Sequence, residues 1–431
     1  MKTYSAFSLF TLLASASALA QTMTPFELMV ADYGTLSTVA GKGEVSNVGR
    51  VVWTPDMEGG DPRAAELGVP HMTMADARGR VYIADKENHA VVRVSADGET
   101  ITTVAGSRTF TGTDNDSLTP ALQVPLRNPN GLYVLPDGTF YILDLENAKI
   151  RRVGTDGMCR TILTDPSPQG FGFGRGLWVS QAEDLIYYAA GTEVRKWTEA
   201  GGIEVVASGF RELGNLTVDP GGKLVVTDRK SHRVFRIGDD GSKVVIAGSG
   251  AEGGGGSGMP ATSVGLQEVR GIAFRPDGTY FLACMKRAAI WWVDLEGKVH
   301  LFIKGAKTGD ARTGDGAGPT ENPTIDKMAE PRSITIAPNG DLLITTNDQG
   351  FIRRVEAVRR SPRAAGVGFS RNGDGFQVNW QPEFGANYFV EETASLETPS
   401  WSEKGIVGWE KAALLLENDG QSGFYRVRTA H

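Results

Sequence analysis

Residues 71–94 read HMTMADARGRVYIADKENHAVVRV, and the same pattern returns along the chain. Residues 130–153 read NGLYVLPDGTFYILDLENAKIRRV, residues 270–293 RGIAFRPDGTYFLACMKRAAIWWV, and residues 332–355 RSITIAPNGDLLITTNDQGFIRRV. Residues 214–237, GNLTVDPGGKLVVTDRKSHRVFRI, keep the register, and residues 175–197, RGLWVSQAEDLIYYAAGTEVRKW, form a divergent copy one residue shorter. Each copy reads as strand, D-G or N-G type turn, strand, turn, strand. A second turn, such as Asp97-Gly98, Asp156-Gly157 or Asp240-Gly241, leads to a fourth strand.

The unit is therefore a four-stranded antiparallel meander. Its anchor positions, Gly79, Gly138, Glu183, Gly222, Gly278 and Gly340, are unevenly spaced, so the strands repeat while the connections vary in length. Repeated meanders pack radially as blades, which predicts an all-β chain built on a six-bladed β-propeller. After Val355 the sixth unit lacks a fourth strand. Residues 34–41, GTLSTVAG, match the fourth strand of the first unit, residues 99–106, ETITTVAG, at five of eight positions. The N-terminal strand is thus expected to complete the sixth blade beside residues 351–355, leaving no open sheet edge.

These residues resemble NHL repeats. The resemblance is carried by Asp85-x-x-Asn88-His89, Asp144-x-x-Asn147 and Asp228-x-x-Ser231-His232, each followed by a D-G turn, and by endings such as Thr103-Val104-Ala105-Gly106. It covers residues 34–357 and implies a six-bladed propeller. The family includes interaction platforms and enzymes, so it fixes no activity. Ala189, Cys284 and Thr346 stand where the repeat expects Asp. The recurrence of Asp85, Asp144 and Asp228 at one repeat position predicts turn capping rather than catalysis.

Composition agrees with such a fold. The 55 glycines among 431 residues call for many turns rather than long helices, and 40% hydrophobic with 22% charged residues permits a sizeable core. The formal net charge is −7, with no basic run beyond residues 359–363, which offers no footprint for nucleic acid. Residues 1–20 read as a signal peptide, an apolar run ending in Ala18-Leu19-Ala20, so the mature chain is expected to be exported to the periplasm or the cell exterior. No later run is long and apolar enough for a membrane span. Cys159 and Cys284 fall in blades nearly opposite one another and are expected as buried thiols, not a disulfide. Residues 358–366 read as a linker. Residues 367–431 alternate with period two between turns and predict a small β-sandwich with Trp380, Trp401 and Tyr425 in its core.

In a propeller the first strand of each blade lines the axial channel. The residues opening those strands are His71, Asn130, Arg175, Gly214, Arg270 and Arg332, so three guanidiniums, an imidazole and an amide are expected around one mouth. Long connections converge there, and residues 253–256 and 313–316 are glycine-rich enough to cover a ligand. The ring suits an anion: a carboxylate, a sulfated or uronic sugar, or an acidic side chain of a protein partner. Alternatively, the arginines pair with loop carboxylates such as Asp61, Asp310 or Asp315. Only His71 falls on the ring, so three histidines cannot converge on a metal there. The expectation is an exported, non-catalytic, monomeric binding or scaffolding protein without cofactor or metal. The alternative is a lactonase- or lyase-type enzyme using the same mouth. Trp291 and Trp292 share one strand with opposite facing, so one is expected to be packed and the other partly exposed.

Overall fold

The computed structural model of the chain describes residues 23–43, 51–109, 116–167, 170–172, 174–305, 314–320, 328–346, 350–358, 365–372, 375–411, 413–416 and 423–429. The expected signal segment, Asp310 and most of the expected linker lie outside them. Six antiparallel meander sheets follow one another along the chain. The first is formed by Pro70–Ala75, Val81–Asp85, Ala90–Val94 and Ile101–Ala105, and the fifth by Val269–Phe274, Tyr280–Cys284, Ala289–Val293 and Val299–Lys304. The second sheet gains a short fifth strand, Thr119–Pro120. In the sixth, Tyr33–Ala40 pairs antiparallel with Phe351–Ala357, in the register Leu36↔Val355 and Thr38↔Arg353. The innermost strands touch their neighbours in a closed cycle, the sixth against the first.

The described residues form no single central core. Among the described residues of the six meanders, the apolar side chains fall into six clusters, one between each pair of adjacent sheets. Leu132, Phe140 and Ile142 of the second sheet meet Tyr82, Ala84 and Val91 of the first, whereas Tyr141, Leu143 and Ile150 meet Leu177, Ile186 and Tyr188 of the third. Middle strands are therefore covered on both faces, and Phe140–Asp144 is buried at every position. Trp291 and Trp292 follow this rule, and the expectation that one is partly exposed is corrected. Trp291 packs between the fourth and fifth sheets, and Trp292 between the fifth and sixth. The helix Pro25–Val30 closes over the latter seam, with Phe26 stacked 5.0 Å from His300.

The turn between the first two strands of each sheet needs a left-handed residue. Glycine supplies it in five sheets, as at Gly222 (φ 77). In the divergent third sheet Glu183 takes φ 59, and its carboxylate receives Tyr141 and the fork of Arg152 from the second sheet. The repeated Asp side chains fasten the segment entering each innermost strand. Asp144 accepts the Arg127 N–H at 2.7 Å, and Asp228 accepts the Arg211 and Glu212 N–H groups at 2.9 Å. His89 and His232 link sheets: their Nδ1 atoms accept the N–H of Asn128 at 3.1 Å and of Glu268 at 3.0 Å, just before the next innermost strand.

Two three-stranded sheets follow. Ala365–Asn372, Gly375–Gln381 and Ala413–Leu416 form one, and Ser402–Gly408, Asn387–Thr393 and Phe424–Thr429 the other. They enclose Val378, Trp380, Tyr388 and Val390, with Tyr425 packed alongside. Trp401, expected in this core, instead lies under the Arg426 guanidinium, 4.1 Å from the ring centroid. This C-terminal unit sits on the ring. Arg78 bridges to Glu403 at 2.8 Å, the Gln181 N–H donates to Glu410 at 2.7 Å, and Phe389 meets Ala77.

Candidate functional site

The innermost strands begin at one mouth of the ring, and the sequence-singled residues gather there. His71, Asn130, Arg175 and Arg270 are buried. The fourth position is Gly214, where a Cβ would collide with the Thr227 hydroxyl and come within 3.0 Å of the Arg270 carbonyl, so no side chain fits there.

Arg175 is the decisive residue. It is 4% exposed, and its Nε and Nη1 have no hydrogen-bond partner among the described residues. Burial and then the charges of Arg270, Arg332 and Arg229 push its pKa well below the usual guanidinium range. Arg270 donates to Glu268 at 2.7 Å through Nη2, while its Nε and Nη1 also lack partners. Burial, Arg332 and Arg229 hold Arg270 down at about 9. Arg332 lies 3.8 Å from Glu330. A guanidinium gives up its proton very reluctantly, so an anion between these groups relieves the crowding more readily than deprotonation does.

The polar groups complete the mouth. Asn130 Nδ2 donates to the Gly174 carbonyl at 3.0 Å, and its Oδ1 is left without a partner. His71 donates from Nδ1 to the Val69 carbonyl at 2.9 Å; burial, then Arg175 and Arg332, keep its imidazole neutral. Burial opposes ionisation of Glu268, but hydrogen bonds from Lys230 and Arg270 outweigh it and bring the carboxyl to about 2.

Sequence reading missed Glu268 and Glu330, the carboxylates nearest the ring. Both take left-handed φ values, 51 and 43, two residues before Arg270 and Arg332. Their signal was a carboxylate at the same offset from two ring arginines. It also missed Arg229, Lys230 and Lys286, which follow the second strands and pair with these carboxylates. The partners anticipated for the ring are engaged elsewhere: Asp61 binds Arg63, and Asp315 binds Arg353 and Thr38.

The glycine-rich segments are not loose covers. Arg287 donates to the Gly254, Gly255 and Gly265 carbonyls and lies over Trp291, which ties down residues 253–256. Gly316 is bonded to Leu36; Thr313 lies outside the described residues. The long connections spend their apolar residues between sheets, as Ala261, Val264 and Leu266 do. Cys159 and Cys284 are buried free thiols in different sheets.

No protein-family model and no curated protein matches the chain. Among solved structures it is similar to a protein of unknown function from Bacteroides thetaiotaomicron, with 15% identity, a TM-score of 0.59, and coverage of 74% of this chain and 75% of that one. It is also similar to two proteins described as auxiliary nutrient binding proteins. One is from Bacteroides thetaiotaomicron (11% identity, TM-score 0.55, 74% and 76% covered) and one from Bacteroides ovatus (13%, 0.55, 75% and 77%). The shared feature is the fold, nearly all-β, propeller-like and made of four-stranded antiparallel sheets. No described helix is long and apolar enough to cross a membrane.

Proposed function

We propose that the chain is an exported, monomeric, non-catalytic binding protein of the NHL-repeat type that holds an anionic ligand at the arginine-ringed mouth. On this reading residues 1–20 are a cleaved signal peptide, and the six sheets are the blades of a six-bladed propeller over residues 34–357. Residues 358–366 link it to a β-sandwich over residues 367–431. His71, Asn130, Arg175, Arg270 and Arg332 form the ligand-binding set.

The observation that carries the reading is Arg175. A buried cation with unmatched donors and three cationic neighbours is costly in the free protein and is repaid by an anion in that position. Carboxylates, sulfated or uronic sugars and acidic peptides fit this chemistry. The unmatched Asn130 Oδ1 adds an acceptor for a ligand hydroxyl.

The test is calorimetric titration of the full chain with a panel of acidic glycans, small carboxylates and acidic peptides. Wild type should bind at least one class. Arg175→Met and the Arg270→Ala/Arg332→Ala pair should weaken it at least a hundredfold, about 3 kcal/mol, as expected for two charge-assisted hydrogen bonds. Unchanged affinity in these variants would reject the mouth as the site. One equivalent of tightly bound zinc or calcium, lost in His71→Ala, would turn the reading to an enzyme.

A further inference from the structure

The channel has a second end, where aromatic side chains stand in place of the cluster of arginines. From Asn215 the innermost strands run about 10 Å further, at roughly 3.3 Å per residue, to the face under the C-terminal unit. There a cavity of about 430 Å³ lies between the strand ends and residues 383–387, Trp409 and Thr429 of that unit. Its walls include Tyr133, Trp178, Phe274 and Ile336, and Asp32, Arg275, Asp277 and Glu383 also line it. Phe384 and Trp409 face it from the C-terminal unit, their rings 4.5 Å apart.

Two observations separate this chamber from the arginine mouth. Asn215 of the fourth sheet approaches the Met72 sulfur of the first, the opposite sheet, at 3.6 Å, so side chains meet across the channel and form a floor. At the chamber Arg275 is answered by Asp32 at 2.7 Å and keeps one unmatched atom, Nη1, whereas at the mouth neither Nε nor Nη1 of Arg175 has a partner among the described residues. One polar group in the floor is unsatisfied. Asn215 is 3% exposed, its Nδ2 meets only the weak Met72 sulfur, and its Oδ1 has no hydrogen-bond partner.

We propose that this chamber is a second ligand site, completed by the C-terminal unit, for an uncharged aromatic molecule that donates a hydrogen bond to Asn215. The volume falls in the range of small-molecule pockets, and aromatic walls around one directional polar group are the usual means of orienting a flat apolar ligand. Tyr133 and Trp178, 6.2 Å apart and near edge-on, and the Phe384–Trp409 pair offer ring faces and edges for stacking. The C-terminal unit is then the cover of a binding site.

The probe is N-phenyl-1-naphthylamine, uncharged, aromatic and bearing one N–H, titrated into the full chain and followed by its fluorescence. The expected result is saturable binding at one equivalent. Met74→Trp, which fills the chamber, should weaken it at least tenfold. Phe384→Ala, which alters only the cover, should weaken it about fivefold, with thermal melts confirming that both variants fold. The ether of the same shape, 1-phenoxynaphthalene, should compete with the probe at an inhibition constant about fivefold above the amine's directly titrated dissociation constant, a gap that Asn215→Leu should close. Arg175→Met should leave probe binding unchanged while it abolishes anion binding, so either site can fail without the other. No saturable binding, a response indifferent to both Met74→Trp and Phe384→Ala, or equal affinities of amine and ether would overturn the proposal.

Discussion

On the proposed reading, Arg175 serves a ligand at the expense of the free fold. Its neighbours are cations and two of its donors are unmatched, so Arg175→Met should stabilise the ligand-free protein by ~1–3 kcal/mol, seen as a higher melting temperature. A lower melting temperature would mean that the guanidinium is structural. Asp85 is a second costly group. Burial pushes its carboxyl up to about 6, against the partial relief of Arg108 and Asn88. A raised carboxyl pKa means the folded state holds the proton more tightly than the unfolded one, so the contribution of Asp85 is favourable below pH ~4 and is lost as pH rises through about 6. Asp85→Asn keeps an acceptor for Asn88. It should melt like wild type near pH 4 and above it near pH 8, by an amount worth up to ~2–3 kcal/mol, measured by calorimetry at both pH values. Turn capping by these aspartates was readable from their recurrence. That Asp85 retains an unmatched Oδ1 was not, because burial depends on the residues that fold over it.

At the scale of elements, the joints between sheets carry the architecture. His89 and His232 each accept a backbone N–H from the segment entering the next sheet. His232→Ala would leave the Glu268 N–H unpaired and release the residue that holds Arg270, so it should cost ~1–2 kcal/mol in stability. It should also weaken anion binding several-fold, and more than His89→Ala, whose joint between the first and second sheets lies three seams from Glu268 and holds the segment before Asn130 rather than an arginine. The closing strand makes a stronger demand. Without Tyr33–Ala40 the sixth sheet has an open edge and Leu36 leaves the seam between the fifth and sixth sheets. A chain lacking it should lose cooperative unfolding, and an unchanged melting curve would assign closure elsewhere. The strand was visible beforehand because TLSTVAG repeats a fourth-strand ending. The anchoring of residues 253–256 was not, since their glycines read as freedom while the restraint comes from Arg287, distant in the chain.

For the molecule as a whole, the C-terminal unit joins one end of the channel while the arginines occupy the other. The contacts holding it include a half-exposed ion pair, Arg78–Glu403, and aromatic packing around Phe384. Removing residues 367–431 should uncover Tyr133, Trp178 and Phe274, so the shortened chain should self-associate in sedimentation while the full chain does not. The repeat, the number of meanders, the strand that closes the last sheet and the presence of cations at the first position of three inner strands are properties of residue order. Local turn chemistry and period-two patterning act over a few residues and can be read in line. Which carboxylates answer those cations, which guanidinium is left unanswered, and that a separate unit roofs the far end depend on groups tens to hundreds of residues apart. Burial and charge pairing are set by what packs around a group, and only the folded ring brings those neighbours together.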